Sequence, residues 1–590
     1  MHETAFRTHT CGELRIKDRS LSVTLAGWVH RVRDQGGLVF LDLRDRYGLT
    51  QVSVSKDELP ETHAIATGVR PEYTVQVEGV VCERPEGARN EKLPTGDIEV
   101  AGKTIRVLSE SPTPPFEIAG EEPLSEEVRL KHRPFDLRRP VNQERLMRRH
   151  RMNQVIRDFF DARGFVEIET PILAKATPEG ARDYVVPSRL HPGKFYALPQ
   201  APQIYKQILM CAGFDRYYQL ARCFRDEDLR ADRHWEFTQL DLEMCFVDRE
   251  DVLRPVEEVI TQLVRDVART PCELPLPWPR IPYDEALLRY GTDKPDLRFG
   301  MKIVDVTELA RDCAFQVFRG AVAAGGAVRG IRVPGGAALS RKGIEAFQPA
   351  AVDHGAKGLA WLKLSPDGPS GPLAKFFGDD TLPQAFGAEP GDLLLFVADA
   401  SATVVAWSLG AVRLAVARVR NLIPEDEFAA CFVVDFPLLL PGDAPGSWVP
   451  AHHPFTAPVE EDLELLETDP GRVRAQAYDP VLNGYELGSG SVRIHRADVQ
   501  ERVFAALGIA AEDAQARFGF LLNVLRYGAP PHGGIALGLD RVAMLLAGVT
   551  SIRDVIAFPK TTRGVDLMSD SPSAVEPDQL RELGIEIRKT

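Results

Sequence analysis

The stretch RCFRDEDLRADRHWEFTQLDLE, Arg222 to Glu243, sets four arginines among seven carboxylates, with Trp235 and Phe237 between them. These residue types have a defined chemical range. A guanidinium presents a planar fork of donors that fits a phosphate or a carboxylate through parallel hydrogen bonds. Carboxylates accept from amino groups, and they supply the oxygen ligands that magnesium takes beside phosphates. An aromatic ring among charges offers a stacking and cation-π surface. The competing reading is a solvated salt-bridge face, which is what a charge run usually is.

Other chemistry-bearing signals are weaker one by one. TPEGARDY, LGSGS (Leu487 to Ser491) and PPHGGIALGLDR are glycine-containing stretches that either cradle a phosphate or turn the chain, and none is a Walker A or GxGxxG fingerprint. Kinase-like and Rossmann readings are therefore disfavoured. The pair His452 and His453 in AHHPFT lacks an HExxH context, so a polar contact to ligand or core is preferred over a metal. Eight cysteines are scattered without CxxC pairs, which implies reduced core residues rather than zinc or a disulfide framework.

The elements that must position these residues follow from periodicity. From Leu21 to about Val107, runs such as SVTLAGWVH, GGLVFLDLRD, LTQVSVS and YTVQVEGVV alternate with turn signals, as in a small closed barrel of OB-fold type. Residues 109–140 open with the Pro-rich, acidic SESPTPPFEIAGEEP and read as a linker. NQERLMRRHRMNQVIRDFFDARGF spaces Leu146, Met152, Val155, Ile156, Phe159 and Phe160 as an amphipathic helix that Gly164 should cap, and FVEIETPIL reads as a strand stopping at Pro171. The texture changes between 290 and 424, where GAVAAGGAVRGIRVPGG and LLLFVADASATVVAWSLGAVRLAVARV suggest an inserted α+β module. The expected division is thus 1–108, 109–140, 141–289, 290–424 and 425–590.

The bulk numbers agree with a multidomain globular chain. Its 590 residues exceed what one core organises, and 44% hydrophobic with 26% charged residues avoids the disorder and membrane extremes. The N-terminal residues are too polar for a signal-peptide core, so a cytoplasmic protein without a membrane partner is expected. A net charge of −14 argues against indiscriminate nucleic-acid binding. Locally, Arg129 to Arg151 holds nine Lys or Arg against two acids, either to neutralise phosphates or to meet acidic neighbours within the fold.

Taken jointly the segments are far more specific. GFVEIETPIL, the opening stretch and GIALGLDRVAMLLAG resemble, in order, the three signature motifs of class II aminoacyl-tRNA synthetases. QAPQIYKQ, YGTDKPDLRFG, HHPFT, NGYELGSGSVRIH and IRDVIAFPK extend the likeness to the bacterial-type aspartyl-tRNA synthetases over essentially the whole chain. The resemblance implies an N-terminal anticodon-binding OB-fold barrel, an antiparallel-sheet catalytic domain and an inserted α+β module. It implies an aspartate-tRNA ligase that uses ATP with Mg2+ and makes an aspartyl-adenylate. A homodimer formed around Pro171 and tRNA(Asp) as partner come with it.

It also assigns residues. Arg225 is implied on the α-phosphate and aspartate, Glu227 on the adenine amino group, and Phe237 and Arg541 on either side of the adenine. Asp226, His234, Gly538, Leu539 and Asp540 complete the ATP set, and Asp479 and Glu486 surround magnesium. Arg225, Glu486 and Arg541 are the implied catalytic residues. Lys206 and Arg493 would face the aspartate side chain; both are pure donors, which an asparagine NH2 cannot satisfy. Glu179, Gln203, Asp241 and His452 hold the substrate or its neighbours. In the barrel, Phe40 and Gln51 would stack on and hydrogen-bond anticodon bases, with Arg31 and Arg33 on the backbone; without the likeness, Phe40 reads as a core strand residue. No zinc and no tightly bound cofactor are implied.

Three positions depart from the pattern. His234-Trp235 stands where the family usually has Gln-Pro. Gly488-Ser489-Gly490 replaces a triple glycine, which is tolerable unless φ at Ser489 is positive. Gln35 stands where members restricted to tRNA(Asp) carry Leu and non-discriminating ones often carry His, so charging of tRNA(Asn) stays open. A catalytically silent tRNA-binding paralogue is the alternative from another class, and an asparagine or lysine ligase is a further contender within this one.

Overall fold

The computed structural model describes residues 3–120, 122–176, 181–229, 231–377 and 381–588. The chain divides into two compact units, 1–147 with 553–574 and 148–552 with 575–590.

In the first unit five strands, β1 (Ser22–Asp34), β2 (Leu38–Asp45), β3 (Gly48–Ser55), β4 (Thr74–Glu83) and β5 (Ile98–Ser109), close a barrel in the order β1-β2-β3-β5-β4. Alternation sends Val23, Leu25, Val39, Leu41, Val52, Val75 and Val77 into its core. Phe40, between two inward residues, therefore lies on the outer face and is not the core residue that composition alone suggests. Helix Pro60–Gly68 joins β3 to β4.

The expected linker is partly ordered. Ser125 accepts the Val128 N–H and caps helix Glu126–Lys131, and a further turn of helix follows at Arg133–Asp136. The basic run is largely paired there: Arg129 with Asp136 and Asp554, Arg133 with Asp136 and the carbonyls of Ile556 and Ala557, and Arg138 with Glu72. Of the two readings of that run, the fold supports acidic neighbours for these residues.

The second unit is built on a large sheet. Its strands are β6 (Val166–Glu167), β7 (Arg216–Phe224), β8 (Glu236–Cys245), β9 (Arg280–Pro282), β10 (Ala430–Val434), β11 (Ala477–Leu482), β12 (Tyr485–Glu486), β13 (Gly488–Val492) and β14 (His532–Gly538). The order is β9-β10-β11-β13-β14-β8-β7-β6, with β12 on β11, and every pairing from β10 to β7 is antiparallel. Helix Arg249–Val267, closed by an Asp248–Asp251 capping box, buries Val252, Val256, Val259 and Val264. The expected strand from Phe165 to Pro171 pairs with β7 over only two residues, Val166–Glu167, and the chain leaves β7 after the Ile168 N–H donates to the Tyr218 carbonyl. Gly164, at φ 74°, ends the preceding helix, Pro140–Asp161.

Residues 304–399 carry a separate five-stranded sheet, Val304–Asp305, Ala327–Val333, Leu393–Asp399, Ala360–Ser365 and Gly368–Ser370 in that order. Helix Ala402–Val419, apolar and long enough to cross a membrane, instead packs Val405, Leu409, Val412 and Val416 into that module's core. Its Arg413 donates to the carbonyls of Asp296, Phe299, Gly300 and Met301, and burial pushes the guanidinium down to about 10.

Candidate active site and anticodon face

In the second unit, the open face of β8, β13 and β14 and the β7–β8 hairpin enclose a cleft of about 330 Å³. Gln203, Arg225, Glu227, His234, Phe237, His452, Glu486, Arg493, Gly538, Asp540 and Arg541 line it, so eleven of the expected residues, drawn from five separate segments, meet at one place. Glu179 lies outside the described residues.

The floor is a charged layer. Lys206, from helix Gln203–Cys211, places Nζ 3.1 Å from Asp241 Oδ1 and 3.5 Å from Glu243 Oε2. Arg493 forks onto Glu243, with Nε 2.9 Å from Oε1 and Nη2 3.2 Å from Oε2, and donates to Ser491 Oγ at 2.6 Å. Asp241 and Glu243 share one face of β8 by the period of two. Burial raises Asp241 against the pull of Lys206. Burial also opposes the charge of Glu243, but Arg493 and Lys206 outweigh it and hold that carboxyl below its usual value. Gly534 explains how Glu243 fits: a Cβ there would sit 2.1 Å from Glu243 Oε2, so this glycine makes room for a carboxylate.

His453 Nε2 lies 2.7 Å from Arg493 Nη1; arginine has only donors, so Nε2 accepts and the imidazole is neutral. Burial, then the charge of Arg493, drives its pKa well down. His452 behaves oppositely, for although burial opposes its charge, Asp479, 3.6 Å away, and Glu486 raise it. Glu486 is raised by burial and by Asp479. Two crowded carboxylates, with Asp479 Oδ1 met only by His452 Nε2 at 3.6 Å and by no hydrogen bond, are a donor set that suits a hard divalent cation sharing phosphate oxygens. Among the described residues no group of three or more His, Cys, Asp or Glu is placed to hold a metal by itself.

At the β7–β8 end of the cleft Arg225 stands over the Phe237 ring, 5.0 Å from its centroid. Arg541, at the start of helix Leu539–Leu546, pairs with Asp232 at 2.9 Å and reaches the Glu486 carbonyl. Several expected residues sit elsewhere. Asp226 turns toward Arg182, and Leu539 is buried in the core. Asp540, although at the cleft, uses its oxygens on Arg149 and the Thr238 N–H. Ser489 lies in β13 opposite Ala536 without a positive φ, so its replacement of glycine is unstrained, whereas a Cβ at Gly488 or Gly490 would strike neighbouring backbone.

Sequence reasoning passed over Glu243, Ser491, Gln239 and the role of His453. The spacing of Asp241 and Glu243 on a strand was the signal available for the first. Buried polar atoms that make no hydrogen bond concentrate here: Gln203 Nε2, Asp241 Oδ2, His452 Nδ1, Asp479 Oδ1 and Arg541 Nε.

On the barrel, Arg33, Phe40 and Gln51 come together. Arg33 Nη2 is 2.9 Å from both Asp42 Oδ1 and Gln51 Oε1, and its guanidinium lies 5.8 Å from the Phe40 centroid. Gln51 Nε2 donates to Glu99 Oε2 at 2.7 Å, which adds a carboxylate unforeseen from sequence. Gln35 is exposed in the β1–β2 turn.

Comparison with known proteins decides the family. The family model for class II tRNA synthetases (D, K and N) matches residues 125–562, and that for the OB-fold nucleic acid binding domain matches 23–108. The chain belongs to the class II tRNA synthetases. The class II synthetase is 53% identical over 586 residues to the aspartate-tRNA(Asp/Asn) ligase of Anoxybacillus flavithermus, covering 99% of this chain and 98% of that one. It is 53% identical to the same-named protein of Bacillus subtilis (99% of each chain), and 52% identical to the aspartate-tRNA ligase of Geobacillus kaustophilus (98% and 99%). In fold it is similar to the asparaginyl-tRNA synthetase of Pyrococcus horikoshii, with TM-score 0.59 and 21% identity over 94% of this chain and 98% of that one.

Proposed function

We propose that this class II synthetase is an aspartate-tRNA ligase, and that the residues of the cleft carry the roles the family likeness implies. The observation that carries the reading is the buried layer Lys206–Asp241–Glu243–Arg493, in which both cations have fixed carboxylate partners and Arg493 lines the cleft. Such a layer selects a carboxylate over an amide. An asparagine side chain would turn an NH2 toward donors only, leaving buried donors facing one another without an acceptor at a cost of about 1–3 kcal/mol.

In the first half-reaction an oxygen of the aspartate α-carboxylate attacks the α-phosphorus of ATP, and the bond to the departing pyrophosphate breaks. Arg225 supports this by placing a fixed guanidinium where charge accumulates on the phosphate, without reorganisation during the reaction. Asp479 and Glu486 would hold Mg2+, which when bound offsets the charge of the phosphates. Glu227 and Phe237 orient the adenine, and Asp241, Gln203 and His452 address the amino acid. In the second half-reaction a terminal ribose hydroxyl of tRNA attacks the acyl carbon and AMP leaves. The barrel face of Arg33, Phe40 and Gln51 would read the anticodon, and a homodimer built around Pro171 is part of the same reading.

Aspartate-dependent exchange of pyrophosphate into ATP tests the chemistry. Exchange with aspartate but with neither asparagine nor lysine is expected, and ATP binding without exchange would favour the silent paralogue. A second reading, that tRNA(Asn) is also charged, is favoured by the aspartate-tRNA(Asp/Asn) names of relatives at 53% identity. Aminoacylation of purified tRNA(Asp) and tRNA(Asn) transcripts separates the two.

A further inference from the structure

Trp235, the departure from the family pattern, is wired into the nucleotide loop at both ends of one short segment. Its carbonyl accepts the Arg225 N–H at 2.8 Å, extending the β7–β8 ladder by one rung beyond the Phe224–Glu236 pair. Its indole Nε1–H donates to the Glu227 carbonyl at 2.6 Å. One residue thus brackets Arg225, Asp226 and Glu227, fixing the main chain on either side of Asp226. The ring itself is half-buried and meets Tyr184 edge-to-face, with centroids 6.2 Å apart. A parallel stitch lies beside it: the Asp226 N–H donates to the Arg182 carbonyl at 3.0 Å, and the Arg182 guanidinium reaches Asp226 Oδ2 at 3.2 Å.

We infer that Trp235 is a positioning residue for ATP, holding Arg225 and Glu227 at the spacing that grips phosphate and adenine at once. The inference rests on the nucleotide-site reading above and deepens it. A loop residue placed by a side-chain hydrogen bond costs less to order when ligand binds, so the tether acts on affinity rather than on the chemical step. Trp235 touches neither reacting group, and its loss leaves the carboxylate-selective floor intact.

The test compares wild type with Trp235→Phe, which keeps a ring against Tyr184 but has no N–H, and with Trp235→Ala, which loses both contacts. Calorimetric titration with ATP and Mg2+ should give a Kd roughly three- to tenfold higher for W235F, the range for one lost hydrogen bond, and higher again for W235A. In pyrophosphate exchange the KM for ATP should rise in parallel, while kcat and the KM for aspartate stay within about twofold. That split is what a merely structural role would not produce. An unchanged Kd in W235F overturns the inference, and so does a parallel loss of kcat and aspartate affinity. If the wild type binds ATP but exchanges nothing with aspartate, the functional reading fails while the Kd comparison still judges Trp235.

Discussion

Glu243 and Arg493, 250 positions apart in sequence, form a forked ion pair in which both side chains are shielded from solvent. Arg493 lines the cleft and Glu243 holds it from behind, so the charge that would meet a substrate carboxylate is oriented before any substrate arrives. Gly534, opposite Glu243 on β14, leaves the space that the carboxylate occupies.

Replacing Glu243 by Gln keeps the shape and removes the counter-charge. Arg493 would then be left as a buried cation without its carboxylate, while Lys206 keeps Asp241, a change that costs about 3–5 kcal/mol in comparable buried pairs. Urea unfolding of E243Q should show that loss, and whatever enzyme remains folded should have a KM for aspartate raised at least about tenfold. Stability within about 1 kcal/mol of wild type and an unaltered aspartate KM would show that the pair does not position the site.

How much of this was legible beforehand depends on what carried the signal. The barrel was readable because period-two alternation with turns is a local property, and Arg225 and Phe237 reach the cleft from positions that the motifs single out. Glu243 was not, because its partner Arg493 lies 250 positions away, just past the end of β13, and no local rule announces a pairing across such a gap. Phe40 shows the converse: composition alone puts it in the core, and only its alternation with Val39 and Leu41 turns it outward. The two helical turns within 126–136 were hidden by the Pro-rich, acidic composition just before them.

His453 makes the site sensitive to acid. Burial and the adjacent Arg493 hold its pKa well below 6.5, so the folded state resists a proton that the unfolded chain accepts. The sign follows directly. Its contribution to stability is present above about pH 6.5 and is lost progressively as pH falls below that value, at no more than about 1.4 kcal/mol per pH unit. A protonated His453 would also oppose Arg493, so the KM for aspartate should climb along the same acid limb. His453→Asn, which offers a carbonyl acceptor and does not titrate, should flatten both profiles; identical acid limbs in the two proteins would assign the effect to another group.

If the barrel reads the anticodon as proposed, Phe40 separates tRNA recognition from chemistry, because it lies on the outer barrel face among Arg33, Asp42 and Gln51 and away from the barrel core. Stacking of a base on an aromatic ring contributes about 1–3 kcal/mol, so Phe40→Ala should raise the KM for tRNA(Asp) roughly five- to 150-fold. Aspartate-dependent pyrophosphate exchange needs no tRNA and should be unchanged, and thermal stability should move little, since no core contact is lost. Gln51→Ala should act in the same direction more weakly, because it removes a hydrogen-bonding group but leaves the ring. A tRNA KM unaffected by F40A would remove this face from anticodon reading, and a parallel drop in exchange would show that the substitution acts through the fold instead.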